Sequence, residues 1–271
     1  MLRIAIQSKG RLYEESMALL EEAGIKIPGG KRTLLVPARN FPVEVLFLRD
    51  DDIPESVASG VADVGIVGLN EVMEKRCPVG ILKKLGFGKC RLSLAIPQDI
   101  DYQDRNWFSG KKIATSYPGI LSDYLHKNGI VSDIHVITGS VEIAPGIRLA
   151  DAIFDIVSSG STLVSNRLKE VETVVESEAV LIGTDSISPE KRGILDELLF
   201  RFDSVQAADD KKYILMNVPQ KKLNDVLSVL PGIKSPTVMP LADKEWCSVH
   251  TVLDEKCFWE IINRLKTAGA E

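Results

Sequence analysis

The chain has 271 residues, 45% of them hydrophobic and 26% charged, and 33 Lys and Arg against 38 Asp and Glu leave a formal charge of −5. These proportions exclude collagen, coiled coil and intrinsic disorder, and the acidic balance lacks the basic excess that a broad grip on nucleic acid needs. The length allows two or three domains around a sizeable core. Cys77, Cys90, Cys247 and Cys257 are isolated, with no CxxC pair, so neither a zinc site nor a disulfide scaffold is supported. The amino terminus shows no signal region, and no apolar run approaches the ~18–20 residues of a membrane span. A cytoplasmic protein with no membrane or nucleic-acid partner is expected.

In chain order, Arg3–Ile6 reads as a strand. Gln7-Ser8-Lys9-Gly10-Arg11 then turns into a helix striped with Leu12, Met17, Leu19 and Leu20, and Gly24 sits where a helix-ending glycine belongs. Val43–Leu48 is a second strand. Asp52-Ile53-Pro54-Glu55 reads as a helix start with Asp52 as its cap. Val64–Val67 is a buried strand closed by Gly68.

The same order recurs. Lys112-Ile113-Ala114-Thr115-Ser116 echoes Arg3-Ile4-Ala5-Ile6-Gln7, and Asn128-Gly129-Ile130 ends a helix from Leu121 as Ala23-Gly24-Ile25 ended the first. A strand is expected at His135–Thr138. Leu149-Ala150-Asp151 leads into the apolar run Ala152–Val157 as Val61-Ala62-Asp63 led into Val64–Val67. Two similar α/β lobes facing across a cleft follow from this repeat. The expected lobes are 1–92 with 179–205, and 93–178. The crossings are expected at Gly86–Ile96 and, after a helix through Val171, at the strand Ala179–Ile182. From residue 206 the order becomes βαββα, a ferredoxin-like unit expected to lack its last strand. With 9 basic and 9 acidic residues over 206–271, it does not read as an RNA-binding sheet.

The most informative segment is Asp155-Ile156-Val157-Ser158-Ser159-Gly160-Ser161-Thr162-Leu163. Here an apolar strand runs into small hydroxyl residues around one glycine, and a helix-compatible stretch follows. Small residues let backbone N–H groups converge on an anion such as phosphate. Composition alone leaves open a Ser-rich turn that merely caps the next helix. Asp155 tips the balance, because a carboxylate there can meet ribose hydroxyls or a magnesium-bound pyrophosphate. The acidic run Asp50–Asp52 reads better as a helix cap than as a metal site.

This acidic-headed loop resembles the 5-phosphoribosyl-1-pyrophosphate (PRPP) loop of phosphoribosyltransferases. Gly139-Ser140-Val141-Glu142-Ile143-Ala144-Pro145 and Leu149-Ala150-Asp151-Ala152-Ile153 resemble the ATP phosphoribosyltransferase family in particular. So do Gly10-Arg11-Leu12, Arg49–Pro54, Ala62–Gly68, Cys90–Ala95 and Ala114-Thr115-Ser116-Tyr117-Pro118. Pro236–Leu241 resembles the regulatory domain of that family's long form. One departure is the order Ser8-Lys9-Gly10-Arg11, where the family commonly has Lys-Ser-Gly-Arg.

The resemblance implies two lobes of the type II periplasmic-binding-protein kind with an ACT-like regulatory unit. It also implies transfer of the phosphoribosyl group of PRPP to N1 of ATP with Mg2+, the first step of histidine biosynthesis. Ser158, Ser159, Gly160, Ser161, Thr162 and Leu163 would hold the 5-phosphate and Asp155 the ribose. Glu142 and Arg11 would join Asp155 in catalysis, and Lys9, Gly10, Arg11, Arg91 and Tyr117 would form the ATP side. Protein ligands of the metal are not assigned. Histidine is the implied effector, and a homo-oligomer from dimer to hexamer the implied assembly. On sequence alone, Glu142 also reads as a helix-start carboxylate and Arg11 as a solvated first-turn arginine. A different class of function fits the outline too: a non-catalytic two-lobed ligand sensor of the solute-binding kind.

Overall fold

The computed structural model describes residues 1–28, 33–231 and 235–271, and the chain divides into a unit Met1–Phe202 and a unit Asp203–Glu271. The first unit opens with β1 (Leu2–Gln7), α1 (Arg11–Glu22), β2 (Leu35–Pro37), β3 (Val43–Leu48), a 3-10 turn Asp50–Asp52, α2 (Ile53–Ala58), β4 (Val64–Gly68), α3 (Leu69–Lys75) and β5 (Gly80–Lys84). It continues through β6 (Cys90–Pro97), β7 (Lys112–Thr115), α4 (Pro118–Lys127), β8 (Asp133–Val136), β9 (Ala152–Val157), α5 (Ser161–Ser165), β10 (Leu168–Ser177) and β11 (Ala179–Gly183). Helix α6 (Pro189–Asp209) carries the chain into the second unit. There β12 (Lys211–Pro219), α7 (Leu223–Val229), β13 (Thr237–Pro240), β14 (Trp246–Asp254) and α8 (Glu255–Ala268) complete the order.

Two sheets organise the first unit, in the orders β2-β3-β1-β4-β11-β5 and β10-β6-β9-β7-β8. Each is built on three parallel strands, β3-β1-β4 and β8-β7-β9. Each then accepts one antiparallel crossing strand, β11 beside β4 and β6 beside β9. Strands covered on both faces need apolar runs. Accordingly Leu2, Ile4, Ala5 and Ile6 of β1 and Val64, Ile66 and Val67 of β4 are fully buried. Each fully buried Leu, Ile or Val here contributes about 1.5–3 kcal/mol.

The repeat holds at the level of single bonds. Gly24 and Gly129 both take a positive φ just past their helices. Ile25 N–H reaches Leu20 O at 2.8 Å and Ile130 N–H reaches Leu125 O at 3.0 Å, the six-residue closure that satisfies an orphan carbonyl at a helix end.

Two local expectations are corrected. The stretch expected as helix through Val171 is strand β10, because its β-branched run pairs antiparallel with β6 through two irregularities. Helix α5 stops at Ser165. Asp52 does not cap α2 with its side chain, since the 3-10 turn before the helix already holds its backbone in helical conformation. Two boundaries also move, α4 starting at Pro118, a favoured first helical residue, and β8 spanning Asp133–Val136, while β2, α3, β5 and α6 have no counterpart in the sequence reading.

In the second unit the sheet order is β12-β14-β13, all antiparallel. One face packs Met216, Val218, Val249 and Leu253 against Val226 of α7 and Ile261 and Leu265 of α8. Glu271 exchanges backbone hydrogen bonds with Asn217 of β12 at 2.8 and 2.9 Å. Among the described residues, no helix is long and apolar enough to cross a membrane.

Candidate active site

Asp155 stands near the carboxyl end of β9, the strand edge at which parallel α/β sheets present ligands. One of its oxygens accepts the Ile156 N–H at 2.8 Å. Burial pushes its carboxyl up to about 6, and the nearby Glu142 carboxylate adds to the shift. Beyond Val157 the chain turns through Gly160, whose φ of 81° suits glycine at the start of α5. Ser159 and Ser161 hydroxyls meet at 3.0 Å. The first bond of the helical ladder runs from Val164 N–H to Gly160 O, so the N–H groups of Ser161, Thr162 and Leu163 precede it. Leu163 is 6% exposed and packs in the core beside Val141 and Val157, so only its backbone is available to a ligand. With five residues, α5 adds little dipole, and what the turn offers an anion is its N–H and hydroxyl groups.

The first lobe faces this loop across a cavity of about 240 Å³, lined by Gln7, Arg11, Asp50, Asn70, Glu71 and Ser158 among others. Arg11 begins α1 and donates to Glu15 at 3.1 Å. Lys9 and Gly10 are exposed in the preceding turn. A neighbouring cavity of about 510 Å³ takes Lys84, Lys89, Arg91, Ser158 and Glu176 into its wall. Ser158 therefore belongs to both, while Ser159, Ser161 and Thr162 are exposed. Arg91 forms a two-pronged pair with Glu170, 2.5 Å at each contact, and also reaches Ser158 O at 3.2 Å. The Arg91 guanidinium holds the Glu170 carboxyl at about 2. Tyr117 is 8% exposed, and burial and the Glu71 carboxylate push its hydroxyl well above the usual range.

The family model described as HisG: ATP phosphoribosyltransferase matches residues 49–204, and that described as HisG, C-terminal domain matches residues 208–271. An ATP phosphoribosyltransferase of Bacteroides fragilis is 70% identical over all of this chain and 96% of its own length. The chain belongs to the ATP phosphoribosyltransferase family. Its activity is that of the first step of histidine biosynthesis, and enzymes of this family use a metal ion. The ATP phosphoribosyl transferase (HisG:HisZ) complex from Thermotoga maritima matches with a TM-score of 0.66 at 27% identity, over 76% of this chain and 98% of that one. A substrate binding protein of an amino acid ABC transporter matches with a TM-score of 0.51 at 10% identity, over 77% of this chain and 94% of that one. That second likeness shows the two-lobed fold alone, and the sensor reading of the sequence is set aside.

For an ATP phosphoribosyltransferase the sequence motifs leave several cleft residues unmarked. Asn70 and Glu71 follow Gly68 at the carboxyl end of β4 and line the smaller cavity, and Lys89 and Ser177 lie at the two crossings. The strand-end rule that picks out Arg11 applies equally to Asn70 and Glu71. Glu170 of β10 holds Arg91 of β6 and accepts from the hydroxyl of Ser93 on the same strand as Arg91, pairings that only the fold reveals.

Proposed function

We propose how this chain's residues share the family reaction, in which N1 of the ATP adenine attacks C1′ of PRPP. The bond from C1′ to the pyrophosphate oxygen breaks, and phosphoribosyl-ATP and pyrophosphate leave. No covalent nucleophile is needed. The chemistry asks for alignment of two polyanions and stabilisation of charge on the leaving group. Ser158–Leu163 hold the 5-phosphate through backbone N–H groups and hydroxyls, and Asp155 accepts from the ribose hydroxyls. Glu142, whose charge Asp155 already senses, steadies the same sugar. Arg11 meets phosphate from the first lobe. Lys9, Gly10, Arg11, Arg91 and Tyr117 form the ATP side, Arg91 by sharing the guanidinium that Glu170 holds.

The metal is magnesium in this reading. Asp155 and Glu142 offer the hard oxygen donors it prefers. Among the described residues no three His, Cys, Asp or Glu side chains gather into a site of their own. That fits an ion carried mainly by substrate phosphates and touched by one or two carboxylates. When bound, it neutralises charge on the departing pyrophosphate.

The observation that carries the assignment is Ser158, three residues past Asp155, lining both cavities that bring in Arg11 and Arg91. The second unit supplies control: its match to the family's C-terminal domain supports histidine as effector in a homo-oligomer. A cytoplasmic setting accords with four unpaired cysteines. Pyrophosphate release from protein, magnesium, ATP and PRPP, assayed with and without millimolar histidine, tests both halves. Release that histidine lowers is expected. Absence of release sinks the catalytic assignment, and release indifferent to histidine sinks the regulatory one.

A further inference from the structure

Among the described residues, Glu71 is the one buried charged residue, at 6% exposure. A buried glutamate is rare unless paired, and among the described residues no Lys or Arg bonds this one, Lys75 acting on it only through its charge. Burial pushes its carboxyl up. Its Oε1 instead accepts from the Tyr117 hydroxyl at 2.9 Å and from Asn70 Nδ2 at 3.1 Å. Asn70 Nδ2 also reaches the Tyr117 oxygen at 3.3 Å, closing a triangle. Glu71 sits on α3, which follows β4 of the first sheet, whereas Tyr117 sits between β7 and α4 of the second. The carboxylate thus ties the two lobes together at the cleft.

Its neighbours reinforce the tie. One turn further along α3, Glu74 accepts the N–H groups of Gly119 and Ile120 at 2.8 and 2.9 Å, capping α4 from the opposite lobe. Gly119 permits that approach, since a Cβ there would stand 3.1 Å from Glu74 Oε1. Asn70 is fixed in turn by Ser177, whose hydroxyl donates to Asn70 Oδ1 at 2.8 Å and accepts Asn70 N–H at 3.1 Å. Gly68 leaves room for the Asn70 side chain, which a Cβ would meet at 2.3 Å. Placing a carboxylate here costs stability that an apolar residue would not. What it provides is a fixed place for Tyr117 against Asn70 and Glu71, which line the smaller cavity together with Arg11 and Ser158.

We propose that Glu71 is a positioning residue for ATP, acting through Tyr117 and Asn70 to set the 115–118 loop of the second lobe against the cavity. The inference rests on the reading that Tyr117 meets ATP. A misplacement of about 1 Å can cost ~10²-fold in rate, so a partial loosening is readable.

Steady-state constants for both substrates, with thermal melting, are measured for Glu71→Ala, Glu71→Gln, Tyr117→Phe and the Glu71→Ala/Tyr117→Phe double variant. Glu71→Ala is expected to raise KM for ATP about tenfold while KM for PRPP stays within about twofold. Glu71→Gln keeps an oxygen that accepts from Tyr117 and is expected to recover most of the loss. In the Tyr117→Phe background the Glu71 change is expected to add little, because the shared bond is already gone. Equal changes in both KM values, no change in either, additive effects, or failure of glutamine to rescue would each overturn the inference. Should Glu71→Ala not fold, Tyr117→Phe cuts the same bond from the other side. An ATP-selective rise there supports the inference, and an unchanged KM for ATP overturns it. Tyr117→Ala separates the layers: if it leaves KM for ATP unchanged, the ATP-side reading of Tyr117 fails. If it raises KM for ATP and Glu71→Ala does not, only the positioning role fails.

Discussion

The two lobes of the first unit share a scaffold and differ at its edge. In one, Asp63 accepts Arg3 N–H at 2.8 Å and donates its own N–H to Arg3 O; in the other, Asp151 does the same with Lys112. Four residues beyond these aspartates the lobes part. The first lobe has Val67, fully buried in β4, and the second has Asp155, half-buried with its carboxyl raised to about 6. Duplicated strands and caps thus make the cleft, and the exchange of an apolar Val67 for the acidic Asp155 marks the lobe that we propose holds PRPP.

Substitutions that exchange these characters test the comparison. Val67→Asp puts a carboxylate into the sealed lobe with no partner, and about 3–5 kcal/mol of stability should be lost, read from the urea midpoint. A loss under 1 kcal/mol would mean the two strand ends are alike. Asp155→Asn should leave the melting temperature near or above that of the parent and lower kcat by about 10²–10³-fold, the scale of one lost transition-state contact. Near-normal turnover would remove Asp155 from the mechanism.

The pH response of the same residue sharpens the contrast. The ordinary aspartate value is 3.8, and burial raises that of the folded Asp155 to about 6. Between those values the folded chain holds a proton that the unfolded chain has released. Stability should therefore decline as pH rises from about 4 to about 6, and Asp155→Asn should abolish that slope. Activity should run the other way, with kcat/KM for PRPP falling about tenfold per pH unit below about 6. A flat profile in that range would contradict the burial of this carboxyl. The smallest difference belongs to the paired aspartates. Asp63 also holds Lys191 with both oxygens at 2.8 Å, so Asp63→Ala should cost about 1–2 kcal/mol and Asp151→Ala about 1 kcal/mol. Equal losses would show that the lysine adds nothing.

Much of this architecture was legible because it is written locally. Gly24 and Gly129 announce helix ends by their conformational freedom, and the Asp63 and Asp151 echoes mark matching strands. The acidic-headed hydroxyl loop stands out for a similar reason, since its chemistry lies within nine consecutive residues. What stayed hidden depends on distant partners. Leu168–Ser177 is a strand because β6 lies alongside it, 71 to 87 residues earlier in the chain. Arg91 reads as a free strand-end cation until Glu170 folds against it. Glu71 looks like an ordinary helix carboxylate, and only the approach of Tyr117 from the other lobe buries it.

If the turn after Asp155 grips the PRPP phosphate as proposed, amide exchange of residues 158–163 will register it. With magnesium and saturating PRPP, those N–H groups should exchange about tenfold or more slowly than in the free protein, and slowing at that turn should weaken when Gly160→Val distorts it. Unaltered exchange at 158–163, with protection appearing elsewhere in the cleft, would contradict the claim.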